Sequence, residues 1–299
     1  MNQKAQAAKL SVMSNTALVV GKLSVGLAIG SVGVLSEGIH SSLDLLAAII
    51  AFFAVRQASH PADKKHNYGH GKIENLSGTL EAVLILIAAV WIVIEAVQKL
   101  LHPHDVDALG WGIGIMAIST LINFFVSRHL MKVGIETDSI ALKADAMHLK
   151  TDVLTSLGVM VGLAGVLMTG WLWLDPIAAL LVAALIVHAA WDLLKESFSP
   201  LLDASLPIDE EMQIQEKIEQ HKEYYLDYHD LRTRKSGSQR HVDFHLTVCR
   251  YSTIEHAHNL ADRIEDDIRT LFNEAHILIH HEPCEEQCDR CSKSCKAFL

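Results

Sequence analysis

Long apolar stretches alternate with short polar segments through the first 200 residues of the chain. Six of the stretches reach the ~20 residues that a helix needs to cross a bilayer. Glycines recur inside them, for example at Gly158, Gly162 and Gly165, and small residues favour close helix packing in lipid. The pattern predicts a membrane domain that is an all-α bundle of six helices, over residues 12–34, 37–57, 76–100, 109–131, 139–168 and 172–195.

Beyond Pro200 the pattern changes to short amphipathic segments among charged residues. Apolar residues at helical spacing predict helices, and alternating segments predict strands, with a turn at Ser236-Gly237. The helices are predicted over 208–222 and 253–273, and the strands over 228–235, 240–249 and 276–281. This order predicts a small α+β domain of the ferredoxin-like or metallochaperone-like type. The predicted division is a membrane domain over 1–200, a soluble domain over 201–283 and a Cys-rich tail over 284–299.

Composition and charge agree with a membrane protein. The chain is 50% hydrophobic with a mean hydropathy of +0.25, which is high for a soluble protein. The net charge of −10 argues against a nucleic-acid partner. Basic residues concentrate at the N-terminus, after the second helix and between the fourth and fifth helices, so both chain termini are expected in the cytoplasm.

Two copies of one pattern, HxxxD, lie inside the apolar stretches. They are His40 with Asp44, and His148 with Asp152. Residues four apart share one face of a helix, and ionisable groups at membrane depth are costly and usually functional. If the two faces pack together, two imidazoles and two carboxylates form a tetrahedral set that suits a zinc-like divalent cation.

Four motifs, in this order, resemble the cation diffusion facilitator family, and the chain is similar over nearly its full length to the bacterial zinc and ferrous-iron efflux members. The motifs are the HxxxD pairs, the loop Pro61-Ala-Asp-Lys-Lys-His-Asn-Tyr-Gly-His70-Gly-Lys, the segment His229-Asp-Leu-Arg-Thr-Arg234 and the segment Ile279-His280-His281-Glu282-Pro283. The resemblance implies a homodimer in the cell inner membrane that exchanges a divalent metal cation for protons.

The resemblance also implies three sets of metal ligands. The transported ion is expected at His40, Asp44, His148 and Asp152, and a loop site at Asp63, His66 and His70. A pair of metals across the dimer interface is expected at His229, His245, His258, His280 and Glu282, to which His281 could add. The iron-and-zinc subgroup resembles Asp-Asp/His-Asp at the transport site. His40 departs from this pattern and favours Zn²⁺ over Fe²⁺, with Cd²⁺ and Co²⁺ as further candidates.

Alternatives to this interpretation stay open at the level of sequence. A membrane-anchored metal sensor would need only the soluble domain, and an intramembrane metalloenzyme would need a catalytic base such as that of HExxH. The tail places Cys284, Cys288, Cys291 and Cys295 at spacings close to those of metal sites. It is either a metal-binding tail or a flexible, redox-sensitive end.

Overall fold

The computed structural model describes residues 3–29, 32–101, 111–171, 173–272 and 274–285. The chain divides into two compact units, Met1–Ser199 and Pro200–Leu299. The first is helical, and the second is a small α+β unit with a three-stranded sheet. This architecture confirms the predicted fold class. The predicted Cys-rich tail over 284–299 falls almost wholly outside the described residues, because only Cys284 of its four cysteines is among them.

The described residues of the first unit form six long helices: α1 (Gln3–Ile29), α2 (Val32–Ala58), α3 (Lys72–Leu101), α4 (Trp111–Glu136), α5 (Ile140–Thr169) and α6 (Leu174–Phe198). Four of them combine the length and hydropathy of a membrane span within the part of the chain that the structure describes, over Gln3–Ala28, Gly38–Ala58, Lys72–Leu101 and Leu174–Leu202. The charged residues of α5, Lys143, Asp145, Lys150 and Asp152, lower its mean hydropathy.

Several helix boundaries differ from those predicted. Helix α1 begins at Gln3 and ends at Ile29, whereas the apolar pattern predicted 12–34, and residues 32–34 belong to α2. Apolar patterning finds the stretch that suits lipid, but an alanine-rich helix continues beyond that stretch because alanine has the best helix propensity. Likewise α3 begins four residues early, at Lys72, and α4 continues to Glu136.

Buried polar contacts tie three helix ends together. The ammonium group of Lys4 on α1 lies 3.1 Å from Oε1 of Glu74 on α3. The hydroxyl of Ser139, immediately before α5, donates a hydrogen bond to the other oxygen of Glu74. All three residues are buried, so this network fixes the relative positions of α1, α3 and α5 at one end of the bundle.

The second unit contains α7 (Ile208–Glu219), β1 (Asp227–Ser236), β2 (Gln239–Val248), α8 (Ile254–Arg269) and β3 (Ala275–Pro283). The strand order is β1-β2-β3, antiparallel between β1 and β2 and parallel between β2 and β3. Alternate residues of β2, including Val242, Phe244 and Leu246, are buried in a core with residues of both helices. The remaining residues of β2, including His245, therefore lie on the opposite face of the sheet.

Both helices of this unit are shorter than predicted. Helix α7 ends at Glu219 and α8 at Arg269, whereas the patterns predicted 222 and 273. The start of α8 follows from local chemistry, because the side chain of Thr253 accepts a hydrogen bond from the backbone N–H of His256 and so caps the helix.

We expect Gly162→Ala to destabilise the membrane unit, because an added Cβ would lie 2.7 Å from the Cα of Asp175 on α6. Overpacking of this kind costs about 1–3 kcal/mol. Gly21→Ala is the matched control, because a Cβ there meets nothing within 4 Å. Thermal unfolding of the purified variants in one detergent measures the difference. Equal melting temperatures for both variants would contradict the close packing of α5 on α6.

Candidate metal sites

The two HxxxD pairs come together inside the helical unit. His40, Asp44 and Asp152 each offer a ligand atom, and these atoms lie within 4.8 Å of one another. The fourth predicted residue, His148, joins them through its Nε2, which lies 3.2 Å from Oδ1 of Asp44. Helices α2 and α5 thus bring all four predicted transport residues into one group, which we call the α2–α5 site.

The α2–α5 site is mostly buried but exposed on one side, as a cation-binding site requires. Asp44 is buried and His148 is largely buried, whereas His40 is exposed, so the group is open on one side. Oδ2 of Asp152 and Nδ1 of His148 are buried with no hydrogen-bond partner among the described residues. Buried polar atoms normally have partners, so the unpaired carboxylate oxygen of Asp152 is a candidate ligand atom for a cation.

A buried cation beside this site was missed by sequence reasoning. Lys22 on α1 is buried and donates a 2.8 Å hydrogen bond to the hydroxyl of Ser41, the residue after His40. The signal that could have found it is a single lysine within the apolar part of α1. A buried ammonium group is costly unless opposite charge is near, and the carboxylates of the α2–α5 site supply it.

The loop between α2 and α3 gathers Asp63, His66 and His70. Nδ1 of His66 lies 3.4 Å from one oxygen of Asp63, and Nε2 of His70 lies 3.5 Å from the other. The backbone N–H groups of His66 and Lys65 both donate to Oδ1 of Asp63. These donors hold the pKa of the Asp63 carboxyl below its usual value, so this candidate ligand is ionised at neutral pH.

The soluble unit gathers a third group, which we call the sheet-face site. His229, Asp230 and His245 offer ligand atoms within 4.8 Å of one another. His229 and His245 are paired across β1 and β2, and the pairing then shifts by a bulge before Arg232. Asp230 has a positive φ of 52° at this bulge. Sequence reasoning missed Asp230 because regular alternation would place it on the opposite face from His229.

Glu282 on β3 joins the sheet-face site to a further histidine. Its carboxylate oxygens lie 2.9 Å from Nδ1 of His245, 3.4 Å from Nε2 of His229 and 3.8 Å from Nε2 of His280. The parallel pairing of β2 with β3 explains this convergence, because it sets His280 beside His245. Four of the five residues predicted for the soluble domain therefore lie together.

Two other histidines of the soluble unit make different contacts. Nε2 of His258 lies 3.5 Å from Asp262, one turn along α8, and His258 does not join the converging ligand atoms of the sheet-face site. The ring of His281 contacts the backbone carbonyl of Ala257 at 3.0 Å, as expected for a residue on the face of β3 that packs towards α8. Cys284 is buried after β3, and Cys288, Cys291 and Cys295 lie outside the described residues.

Comparison with known proteins identifies the family. The sequence matches the cation efflux transmembrane domain over residues 8–202 and the cytoplasmic domain of cation efflux proteins over residues 206–284. The chain belongs to the cation efflux family. This is a family of transporters, also called cation diffusion facilitators, so the chain is a cation efflux transporter with several membrane-spanning helices and not an enzyme.

Two relatives that match over at least nine tenths of both chains support this membership. The chain is 38% identical to the uncharacterized transporter sll1263 of Synechocystis, over 93% of this chain and 90% of the relative. It is 32% identical to the cation-efflux pump FieF of Yersinia pestis, over 94% of this chain and 95% of the relative. A solved zinc form of the transporter CzrB is 34% identical over 29% of this chain and 98% of that one, with a TM-score of 0.25.

We expect Glu282→Gln to weaken Zn²⁺ binding at the sheet-face site by about 10- to 100-fold, because the change removes the carboxylate that contacts three imidazoles. Glu216→Gln, on the exposed side of α7, removes the same charge away from the site and is the control. Zinc titration of a soluble fragment from Pro207 by calorimetry measures both affinities. Equal affinities would remove Glu282 from the metal site.

Proposed function

We propose that this efflux transporter exports Zn²⁺ from the cytoplasm in exchange for protons. The observation that carries the proposal is the convergence of His40, Asp44, His148 and Asp152 from α2 and α5. Two imidazoles and two carboxylates suit tetrahedral Zn²⁺, and with it Cd²⁺ or Co²⁺, whereas all-oxygen sites suit Mn²⁺ and Mg²⁺. Fe²⁺ is less favoured, because His40 adds a second imidazole.

Proton exchange follows from the ligand chemistry. Histidine binds a metal in its neutral form and carboxylates bind it in their ionised form, so protons compete with the metal. Imidazole titrates near physiological pH. A site that faces the two sides of the membrane in turn would therefore release Zn²⁺ where protons are taken up. The bulk proton gradient across a bacterial membrane then supplies the driving force.

We further propose a separate role for each of the three parts of the chain. Residues 1–200 carry transport, residues 201–283 bind regulatory Zn²⁺ at the sheet-face site and join two copies into a homodimer, and residues 284–299 form a separate tail. The distribution of lysine and arginine supports cytoplasmic termini in the cell inner membrane. Bound Zn²⁺ would neutralise acidic groups on facing subunits and so strengthen the dimer.

A membrane-anchored metal sensor is the second candidate function. The sheet-face site would serve a sensor, but a sensor has no need of ionisable groups at membrane depth, where they are costly. The α2–α5 site therefore favours transport. Zinc flux through the purified protein in sealed vesicles with an imposed pH gradient separates the two functions.

We expect Asp152→Ala to reduce zinc flux in such vesicles to the background of empty liposomes, because it removes one of four ligands. Asp192→Ala, on the exposed surface of α6, is the matched control and should keep the flux. Both variants should purify as the parent does. Near-parental flux in the Asp152 variant would remove this carboxylate from the transport site.

We expect His40→Asp to shift selectivity away from zinc, because an oxygen ligand replaces an imidazole nitrogen. The ratio of Zn²⁺ flux to Mn²⁺ flux should fall by about tenfold or more. Parallel flux assays of the two ions in the same vesicle preparation measure the ratio. A ratio equal to that of the parent would mean that position 40 does not set the choice of metal.

A further inference from the structure

Two buried carboxylates lie in the helical unit outside the α2–α5 site. They are Glu81 on α3 and Asp145 on α5, and each is only 1% exposed. Neither belongs to a predicted metal site or to the Lys4–Glu74–Ser139 network. Carboxylates are almost never this deeply buried unless they are paired, so these two residues require a physical explanation.

Within the described residues, the protein supplies little to compensate the two carboxylates. Both oxygens of Glu81 and Oδ2 of Asp145 are buried without a hydrogen-bond partner. Neutral hydroxyls lie beside them, that of Ser77 beside Glu81 and that of Ser11 beside Asp145. The two carboxylates thus offer three oxygen atoms, both of Glu81 and Oδ2 of Asp145, that lack a hydrogen-bond partner among the described residues.

Helices α3 and α5 pack against each other at the level of the two carboxylates. Ala82, next to Glu81, and Ala144, next to Asp145, belong to the same buried apolar cluster. Asp145 is close enough to act on Glu81 through its charge. Two like charges in an apolar interior repel each other and also lose their hydration. A bound cation would remove both costs, and unused oxygen atoms are the ligands it requires.

The position of this pair places it next to the α2–α5 site. Asp145 precedes His148 by three residues and Asp152 by seven, so the three lie on one face of α5 over two turns. Asp145 is also within electrostatic reach of Asp44 and His148. The pair lies towards the helix ends that the Lys4–Glu74–Ser139 network joins, because α3 and α5 both begin there.

We propose that Glu81 and Asp145 form a second intramembrane site for the transported divalent cation, between that end of the bundle and the α2–α5 site. The inference rests on the proposed transport function. Its donors are all oxygen, whereas the α2–α5 site adds two imidazoles, so Zn²⁺ is held more weakly at the pair. A zinc ion bound at the pair therefore transfers readily to the α2–α5 site, which binds it more tightly. While the ion is bound at the pair, it offsets the repulsion between the two carboxylates.

The test compares Glu81→Gln/Asp145→Asn with the parent in the full-length protein. The double variant keeps the side-chain shapes and removes both charges. We expect it to bind one zinc ion fewer per protomer in equilibrium dialysis, and to need a severalfold higher zinc concentration for half-maximal flux. Glu95→Gln, also on α3 but exposed, is the matched control and should keep both values. Glu81→Asp retains the charge, so it should keep the ion.

Three results would overturn the proposal. If the double variant binds as much zinc as the parent, the pair holds no metal, and lost flux would then indicate a role in carrying protons. If the double variant binds less zinc but reaches half-maximal flux at the same zinc concentration as the parent, the pair does not lie on the path of the transported ion. If Glu81→Asp loses the ion as the double variant does, the loss comes from packing. Absence of zinc flux in the parent would instead contradict the proposed function, while the dialysis result would still report on the pair.

Discussion

Placing charge in an apolar interior is costly, and this cost governs how the buried polar residues of the helical unit are arranged. Asp44, Asp152, Glu81 and Asp145 all lie within the helical unit, where each loses its hydration. Apolar residues of similar volume would often pack at least as stably as buried charges. On the proposed function, the transported cation would supply the positive charge that offsets these buried carboxylates while it is bound.

The same cost explains the contacts of the buried lysine side chains. Lys4 is held by Glu74 at the helix ends, and Lys22 is held by Ser41 beside the α2–α5 site. The Lys22 side chain acts electrostatically on Asp152, so it would offset part of the cost of the site's carboxylates when no metal is bound.

Features within one helix or strand could be predicted from the sequence, whereas contacts between elements far apart in the chain could not. The HxxxD pairs were found because four-residue spacing fixes a shared helix face, and the apolar stretches found α2 and α5 because lipid demands length and hydropathy. The start of α1 was missed because an alanine-rich helix continues outside the apolar stretch. Asp230 lies in the sheet-face site because of a bulge in β1. Glu81 and Asp145 are near each other because α3 packs on α5. No spacing within one element encodes either of these contacts.

The order of candidate metal ligands along α5 bears on which ion is selected. Asp145, His148 and Asp152 follow one another on one face, so the ligands change from oxygen alone to oxygen with nitrogen within two turns. On the proposed route, zinc would gain affinity from the first site to the α2–α5 site, whereas an ion that prefers oxygen, such as Mn²⁺ or Mg²⁺, would gain less. Selectivity would then arise in the transfer between the two sites as well as at the α2–α5 site itself. A histidine at position 40, where the iron-and-zinc subgroup resembles Asp, would strengthen this difference, because it adds a nitrogen ligand only at the α2–α5 site.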